Sequence, residues 1–211
     1  YKMSNDLKAK DWKPIQGREL RSCTVGVIGV GSIGKQVIRR VHAFGSKLIG
    51  YGRTWDEGFA NKFGVIRKTM QEIFEESDVI TIHLPLTSET KGIISREIIG
   101  LIKPGAIILN TSRAGVIDNV ALVESINKNI VYGAAVDVFD EERDPYPYGD
   151  LDEVILTPHI GSHTIETRKS MEEMAAKNIV IYDSLSTTTD VTKISETLSY
   201  IEKHSVNYES N

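Results

Sequence analysis

The sequence predicts an α/β fold, in which a doubly wound parallel sheet of about seven strands lies between two layers of helices. The first observation is an alternation of short apolar segments with segments of helical periodicity from residue 24 to residue 184. Such alternation is typical of a parallel sheet covered on both faces. The second observation is the turn formed by Gly29, Gly31 and Gly34, directly after the first strand and at the start of the first helix. A G-x-G-x-x-G turn in that context is typical of the Rossmann type of fold.

Each element has its own local signal in the sequence. Short runs of β-branched residues predict buried strands at residues 25–28, 47–51, 64–67, 79–84, 106–110, 131–137 and 154–156. Helical periodicity predicts helices at residues 32–44, 56–63, 69–77, 95–101, 118–128 and 164–184. Thr69 and Glu72 have the spacing of a capping box, and Asp118 is placed to cap the helix that follows it.

The chain is expected to contain one main domain. Residues 1–17 are predicted to be a lead-in or linker, and residues 18–185 a dinucleotide-binding domain with a returning C-terminal helix. Residues 186–211 are predicted to be a tail or the start of another segment. Because the chain starts at Tyr1 rather than at a methionine, we expect it to be a piece of a longer protein.

Composition excludes several classes of partner. With 40% hydrophobic and 26% charged residues, the chain has the composition of an ordinary globular protein. A net charge of -4 without a long Lys/Arg run speaks against nucleic acid. No apolar stretch approaches the roughly 18 residues that a membrane span needs. The lone Cys23 precludes an internal disulfide and fits a reducing compartment, so we expect a cytoplasmic protein. No metal site is predicted.

The glycine turn predicts a site for the pyrophosphate of a dinucleotide. Gly29 permits a tight turn, Gly31 lets a pyrophosphate approach the backbone, and Gly34 lets the helix pack closely on the strand. The helix that begins at Ser32 and Ile33 offers free N–H groups and its positive dipole end to the phosphates. The alternative interpretation is an ordinary turn between a strand and a helix, with no ligand.

The end of the second strand bears on the choice between NAD and NADP. An acidic residue about 20 positions past the glycines usually holds the ribose hydroxyls of NAD. Here that place is occupied by Gly52, Arg53 and Thr54, and the first carboxylate, Asp56, comes later. An arginine beside a hydroxyl can hold a 2′-phosphate by charge-assisted hydrogen bonds, so NADP is favoured over NAD. The alternatives are that Arg53 is a solvated loop charge or stacks on the adenine.

Reactive side chains follow the later strands, in segments 83–90, 110–115, 135–139 and 157–162. Each alone is ordinary, and His83 by itself is more often a structural histidine. Together, an arginine, a carboxylate and a histidine at successive carboxyl ends are what reduction of a 2-keto acid requires. The arginine pairs with the substrate carboxylate, and the histidine gives its proton to the carbonyl oxygen as hydride arrives. A carboxylate beside the histidine orients the imidazole.

Over residues 15–182 the sequence resembles the D-isomer-specific 2-hydroxyacid dehydrogenases. The motifs that carry the resemblance are Gly-Val-Gly-Ser-Ile-Gly, His-Leu-Pro-Leu-Thr, Asn-Thr-Ser-Arg-Ala-Gly, Asp-Val-Phe and Thr-Pro-His-Ile-Gly-Ser. The resemblance implies that Arg113 binds the substrate carboxylate, that His159 is the general acid/base and that Glu142 pairs with this histidine. It also implies that Asp137 contacts the nicotinamide carboxamide.

The glycine motif, the end of the second strand and the resemblance together give an expected set of cofactor-binding residues. The set is Gly29, Gly31, Ser32, Ile33, Gly34, Gly52, Arg53, Thr54, Leu84, Pro85, Thr90, Thr111, Ser112, Arg113, Asp137, His159 and Gly161.

The sequence also departs from the family pattern. Glu142 is followed by Arg143 where the family often has proline, which leaves Glu141 as a rival for the same role. Family members carry about 100 residues before this point, which form most of a substrate-binding domain. We therefore expect this chain to be inactive or weakly active alone, because half a cleft cannot hold donor and acceptor at reacting distance.

The leading functional prediction is the nucleotide-binding half of an NAD(P)-dependent oxidoreductase. It would interconvert a 2-keto acid and a D-2-hydroxy acid such as glyoxylate, hydroxypyruvate or a phosphoglycerate-like compound. The alternative is a dinucleotide-sensing module without turnover, like the transcriptional corepressors of the same family. A third, weaker alternative is another Rossmann oxidoreductase of the adenosylhomocysteine hydrolase kind. A homodimer formed through the nucleotide domain is implied by the resemblance.

Overall fold

The computed structural model describes residues 16–141, 144–149 and 151–186, together with residues 8, 10, 12 and 14. The chain divides into two compact units, one ending at His159 and the other starting at Ile160, and each is described by itself. Most of the predicted lead-in, and the predicted tail after residue 186, lie outside the described residues. The predicted domain boundaries therefore stay a prediction.

The first unit is built on a sheet of seven strands that all run parallel. The strands are β1 (Thr24–Ile28), β2 (Lys47–Tyr51), β3 (Val65–Arg67), β4 (Val79–Ile82), β5 (Ala106–Asn110), β6 (Val131–Val136) and β7 (Val154–Leu156). Their order across the sheet is β3-β2-β1-β4-β5-β6-β7. This is the doubly wound order, in which the chain runs outward from β1 in both directions. The predicted fold class is confirmed.

Helices cover both faces of this sheet. They are α1 (Ser32–His42), α2 (Glu57–Phe63), α3 (Met70–Glu76), α4 (Arg96–Ile99) and α5 (Asn119–Asn127), with 3-10 turns at Leu20–Ser22 and Ala114–Val116. On one face, Ile38 of α1 and Phe59 of α2 pack with Val27 of β1 in one buried cluster. On the other face, Phe74 of α3 and Leu122 of α5 belong to a larger cluster that contains the strand isoleucines. The alternation of side chains along each strand thus supplies two cores.

Capping side chains fix where helices begin, as the sequence predicts. Thr69 accepts a hydrogen bond from the N–H of Glu72, and Glu72 accepts one from the N–H of Thr69 at 2.8 Å, so the capping box before α3 is formed. Asp118 accepts a hydrogen bond from the N–H of Ala121 at 2.8 Å and begins α5. Each cap satisfies an N–H group that has no partner within its helix.

Several predicted elements are shorter in the structure, and hydrogen bonds account for two of these differences. The predicted helix at 95–101 is reduced to α4, because the chain turns after Gly100 and the N–H of Lys103 bonds the carbonyl of Phe74 at 2.9 Å. The predicted strand at 79–84 ends at Ile82, since only the N–H of His83 continues the sheet pattern, at 2.7 Å from the carbonyl of Ile28. Both differences lie at element ends, where periodicity carries least information.

The switch point of the sheet lies at the carboxyl end of β1. Ile28 is in register with Tyr51 of β2 on one side and with Ile82 of β4 on the other. The connections after β1 and β4 leave toward opposite faces of the sheet, so a crevice opens between their carboxyl ends. In doubly wound sheets this crevice is where ligands bind.

The second unit contains a helix, α6 (Ile165–Ser186). Thr164 precedes the helix, and its hydroxyl oxygen accepts a hydrogen bond from the N–H of Thr167 at 3.1 Å. This bond satisfies one N–H of the first turn. No helix in the described part of the chain has the length and apolar character needed to cross a membrane.

Candidate functional site

The glycine turn after β1 is shaped by the absence of Cβ atoms. Gly29 has a φ of +95°, and a Cβ there would lie 2.7 Å from the carbonyl oxygen of His83. A Cβ on Gly34 would overlap the carbonyl of Gly29. A Cβ on Gly31 would meet no described atom within 4 Å. Gly29 and Gly34 are therefore required by the fold, whereas Gly31 leaves open space for a ligand.

The first turn of α1 faces that open space. Gly31 is the N-cap residue, and within the described residues no side chain caps the helix. Ser32 and Ile33 are exposed, Ile33 by 65%. The N–H groups of a first turn point along the helix axis at its positive end, where a phosphate is favoured. The open cradle and this helix end fit the pyrophosphate of a dinucleotide.

The end of β2 borders the glycine turn directly. The N–H of Gly29 bonds the carbonyl of Tyr51 at 2.8 Å, and a Cβ on Gly52 would lie 3.4 Å from the nitrogen of Val30. Arg53 follows and forms an ion pair, Nη1 to Oε2 of Glu89, at 2.8 Å. Thr54 is exposed. The residues predicted to select the cofactor thus lie beside the predicted pyrophosphate site.

A cavity of about 590 Å³ opens next to the ends of β2 and β3. Tyr51 and Gly52 line it from β2, Arg67 and Lys68 from the end of β3, and Ile93 and Ile98 from the chain around α4. The sequence does not predict this cavity, because its walls come from three separate segments of the chain, the ends of β2 and β3 and the chain around α4. The end of β3 carries a basic pair, which was the only local signal.

Hydrogen bonds of Thr87 and Thr90 fix the conformation of the loop after β4. Thr90 Oγ1 donates to the carbonyl of Pro85 at 2.5 Å and accepts from the N–H of Thr87 at 2.8 Å. His83 Nε2 lies 2.9 Å from Thr81 Oγ1. Burial lowers the pKa of His83, so its imidazole is neutral near pH 7. These contacts support the structural role for His83, while Leu84 and Pro85 remain at the crevice.

Asn110, at the end of β5, braces the turn that presents Arg113. Its Oδ1 accepts hydrogen bonds from the N–H and the hydroxyl of Ser112, at 3.1 and 2.9 Å, and its Nδ2 donates to the carbonyl of Arg113 at 3.1 Å. Asn110 is 1% exposed, whereas Thr111 and Arg113 are exposed. Asn110 is the first residue of the Asn-Thr-Ser-Arg-Ala-Gly motif, but the motif alone does not predict this bracing role.

The ends of β6 and β7 are joined by a short hydrogen bond. Thr157 Oγ1 donates to Asp137 Oδ1 at 2.6 Å, and Asp137 is 6% exposed. Asp137 N–H in turn bonds the carbonyl of Asn110 at 3.1 Å. His159 follows two residues after Thr157 with a φ of +52°. Thr157 is a second brace that sequence reasoning missed.

The segment after β6 is anchored by a tyrosine. Tyr148 is 2% exposed, and its hydroxyl donates to Asn119 Oδ1 at 2.7 Å. Asn119 Nδ2 also lies 3.3 Å from Asp140 Oδ2. The predicted Glu142 lies outside the described residues, and its rival Glu141 is exposed. The predicted pairing of Glu142 with His159 therefore stays a prediction.

The structure places most of the predicted site residues along the side of the sheet formed by the carboxyl ends of its strands. From β2 to β7, the carboxyl ends carry in turn Arg53, the glycine turn, the loop of Thr90, Arg113 with Asp137, and His159. Gly161 belongs to the second unit. Within the first unit, this edge can hold an extended ligand whose phosphates lie at α1 and whose two ends lie toward β2 and β7.

Comparison with known proteins gives the family. The family model described as "D-isomer specific 2-hydroxyacid dehydrogenase, NAD binding domain" matches residues 1–161. The chain belongs to this family. The resemblance predicted from the motifs is confirmed, and so is the dinucleotide-binding nature of the domain.

Two curated members of the dehydrogenase family illustrate the match. The glyoxylate reductase of Pyrococcus furiosus is 38% identical over 177 residues, which cover 81% of this chain and 52% of that protein. The D-3-phosphoglycerate dehydrogenase of Methanocaldococcus jannaschii is 42% identical over 177 residues, covering 82% of this chain and 34% of that protein. The chain thus spans about half the length of the glyoxylate reductases it matches.

Solved structures of the family have the same fold. The D-lactate dehydrogenase of Aquifex aeolicus, in complex with NAD and lactic acid, superposes with a TM-score of 0.82 at 28% identity. The match covers 92% of this chain and 63% of that one. A glyoxylate reductase from Paecilomyes thermophila superposes with a TM-score of 0.77 at 31% identity, covering 83% of this chain and 54% of that one.

Proposed function

We propose that this chain is the nucleotide-binding half of an enzyme that interconverts a 2-keto acid and a D-2-hydroxy acid by hydride transfer. The observation that carries the proposal is the shared edge of the sheet, where Arg113, Asp137 and His159 follow β5, β6 and β7, beside the glycine turn of β1. Each of these side chains suits a separate task in that reaction. Family membership supports the reaction class.

The cofactor is proposed to lie across the switch point, with its pyrophosphate at Gly31 and the first turn of α1. When bound in the reduced form, it supplies hydride to the substrate. NADP is proposed as the preferred form, because the end of β2, at Gly52, Arg53 and Thr54, has no carboxylate to hold the ribose hydroxyls of NAD or to repel a 2′-phosphate. Asp137, held by Thr157, is proposed to accept a hydrogen bond from the carboxamide.

The protein residues are proposed to bind the substrate and move one proton. Arg113 is exposed and its backbone is fixed by Asn110, so its guanidinium can pair with the substrate carboxylate. His159 donates a proton to the carbonyl oxygen as hydride arrives, and takes it back in the reverse direction. Glu142 orients the imidazole of His159.

The proposed substrates are small 2-keto and 2-hydroxy acids of the glyoxylate, hydroxypyruvate or phosphoglycerate kind, in line with the names of the relatives. This chain alone is proposed to be inactive or weakly active, since it carries one side of the cleft. The protein is further proposed to be a cytoplasmic homodimer joined through the nucleotide domain, as the family resemblance implies.

The test has a binding step and a turnover step. This chain is titrated calorimetrically with NADPH and with NADH, and binding with NADPH favoured is expected. In the longer protein, His159→Gln is expected to lower kcat for 2-keto acid reduction by at least about 100-fold while cofactor affinity is kept. A histidine variant with unchanged turnover would contradict the mechanism. Cofactor-dependent dimerisation without any turnover would instead indicate the dinucleotide-sensing alternative.

A further inference from the structure

We propose that Arg67, at the end of β3, is the residue that selects the 2′-phosphate of NADP. This inference rests on the proposed function, because it presumes that a dinucleotide occupies the switch point. It places the selecting cation on a different strand from Arg53, the arginine that the sequence pattern singles out. It also gives the cavity beside β2 and β3 an occupant, the phosphate on the adenosine ribose.

The position of Arg67 follows from the sheet register. Arg67 is the last residue of β3 and is in register with Gly50 of β2. Its Nη2 reaches the carbonyl oxygen of Gly52 at 3.4 Å. Gly52 in turn borders Val30 in the glycine turn. The guanidinium therefore lies at the end of β2, where a Rossmann domain places the adenosine ribose.

Ion pairing distinguishes Arg67 from Lys68, which also lines the cavity, and from Arg53, which follows β2. Arg53 is paired with Glu89 at 2.8 Å, and Lys68 is paired with Glu76 at 2.7 Å. Among the described residues, Arg67 has no carboxylate partner. A phosphate that binds Arg53 has to compete with the carboxylate of Glu89 for the same guanidinium. A phosphate that approaches Arg67 meets a cation without a carboxylate of its own, because Glu72, which also lines the cavity, is paired with Lys68 at 3.0 Å.

The guanidinium of Arg67 is also held in place before any ligand arrives. It lies over the ring of Trp55, with 5.4 Å between the guanidinium carbon and the ring centroid. Stacking of this kind uses the face of the guanidinium and leaves its edge free to donate. One edge N–H is directed at Gly52, and the others can form the paired hydrogen bonds that a phosphate accepts. The cavity of about 590 Å³ provides room for the phosphate.

Two small probes isolate the 2′-phosphate in a binding experiment. Adenosine 2′,5′-bisphosphate differs from 5′-AMP only by that group, and neither needs the nicotinamide end of the site. Both are titrated calorimetrically into the wild-type chain, Arg67→Gln and Arg67→Lys. Arg21→Gln serves as the matched control. Arg21 is an exposed arginine that precedes β1, so it lies at the amino ends of the strands, whereas the proposed site lies at their carboxyl ends. Circular dichroism establishes that each variant is folded.

We expect Arg67→Gln to weaken binding of the bisphosphate by about tenfold and to leave 5′-AMP binding unchanged. Arg67→Lys keeps the positive charge but lacks the planar, two-pronged donor arrangement of the guanidinium, so we expect an intermediate loss of bisphosphate affinity. The preference for the bisphosphate is expected to shrink at 0.5 M KCl, since exposed charges are screened there. The control variant is expected to match the wild type.

The outcomes separate this inference from the proposed function. If NADH and NADPH both fail to bind the wild-type chain, the proposed function fails. If both bind and Arg67→Gln leaves the ratio of bisphosphate to 5′-AMP affinity unchanged, the assignment of Arg67 is wrong while the proposed function stands. If Arg53→Gln alone removes the preference, the selection belongs to Arg53 and the assignment of Arg67 is also wrong.

Discussion

The three glycines of the turn between β1 and α1 differ in what their missing Cβ atoms permit. At Gly29 a side chain is opposed both by the positive φ and by the carbonyl of His83. At Gly34 it is opposed by backbone packing. Gly31 has an ordinary φ of -88° and open space around it. One motif thus combines residues needed for folding with a residue that we propose is needed for ligand binding.

Alanine substitutions are expected to separate these two roles. Gly29→Ala is expected to lower the free energy of unfolding by about 2–4 kcal/mol, because of the strained φ and the contact with His83. Gly31→Ala, the matched control, is expected to change it by less than about 0.5 kcal/mol and to weaken dinucleotide binding at least about tenfold. Urea unfolding and calorimetric titration measure the two effects. Equal stabilities for both variants would contradict this division.

At the scale of the elements, the ends of β5, β6 and β7 are connected by hydrogen bonds. The backbone of Asp137 bonds the carbonyl of Asn110, and its side chain accepts from Thr157. Asn110 also fixes the backbone of Arg113. The proposed substrate arginine and the proposed carboxamide acceptor are therefore held by one set of contacts, as a preorganised site requires.

The capping box of α3 predicts a pH dependence of stability. Hydrogen bonds from Thr69 and Lys68 lower the pKa of Glu72 to about 2, from an ordinary value of 4.5. A carboxyl group whose pKa is lower in the folded protein stabilises it above the unfolded pKa, and this contribution is lost as the pH falls toward the folded pKa. We expect the melting temperature to fall between about pH 4.5 and pH 2.

The variant Glu72→Gln tests whether Glu72 is the origin of this pH dependence. It can still accept from the N–H of Thr69 but does not titrate, so its melting temperature is expected to vary less over the same pH range. Thermal unfolding followed by circular dichroism gives both curves. Parallel curves for the variant and the wild type would show that other carboxyl groups cause the acid loss.

Local signals predicted the elements better than the site. The strands were predictable because β-branched runs bounded by turns are a property of adjacent residues. The starts of α3 and α5 were predictable for the same reason, since Thr69 and Asp118 are capping residues next to the helices they begin. The backbone bond from Asp137 to Asn110, and the side-chain bond from Thr157 to Asp137, join residues 20 or more positions apart. These hydrogen-bond partners meet because of the register between neighbouring strands, and the sequence pattern does not specify that register.

At the scale of the whole molecule, the proposed ligand site lies where the connections to both faces of the sheet begin. A dinucleotide that binds only the folded first unit raises the free energy of unfolding by mass action. At a concentration of about 100 times Kd the gain is about 2.7 kcal/mol. For a chain of this size, that corresponds to a rise in melting temperature of about 5–10 °C.

Differential scanning calorimetry with increasing NADPH measures this shift. Gly31→Ala serves as the control, since we expect it to fold like the wild type and to gain much less from the same concentration. A shift of equal size in that variant would mean that the nucleotide binds away from the glycine turn.

His159 has a left-handed backbone, with a φ of +52°, which glycine and asparagine adopt more readily than histidine. The backbone conformation by itself therefore favours glycine or asparagine at this position. We expect His159→Asn to keep at least the wild-type melting temperature, although an average substitution costs about 1 kcal/mol, while turnover in the longer protein is lost. A clear drop in melting temperature would contradict this. The backbone conformation and the proposed chemistry then favour different residues at one position, and relatives without the proposed activity are expected to lose the histidine first.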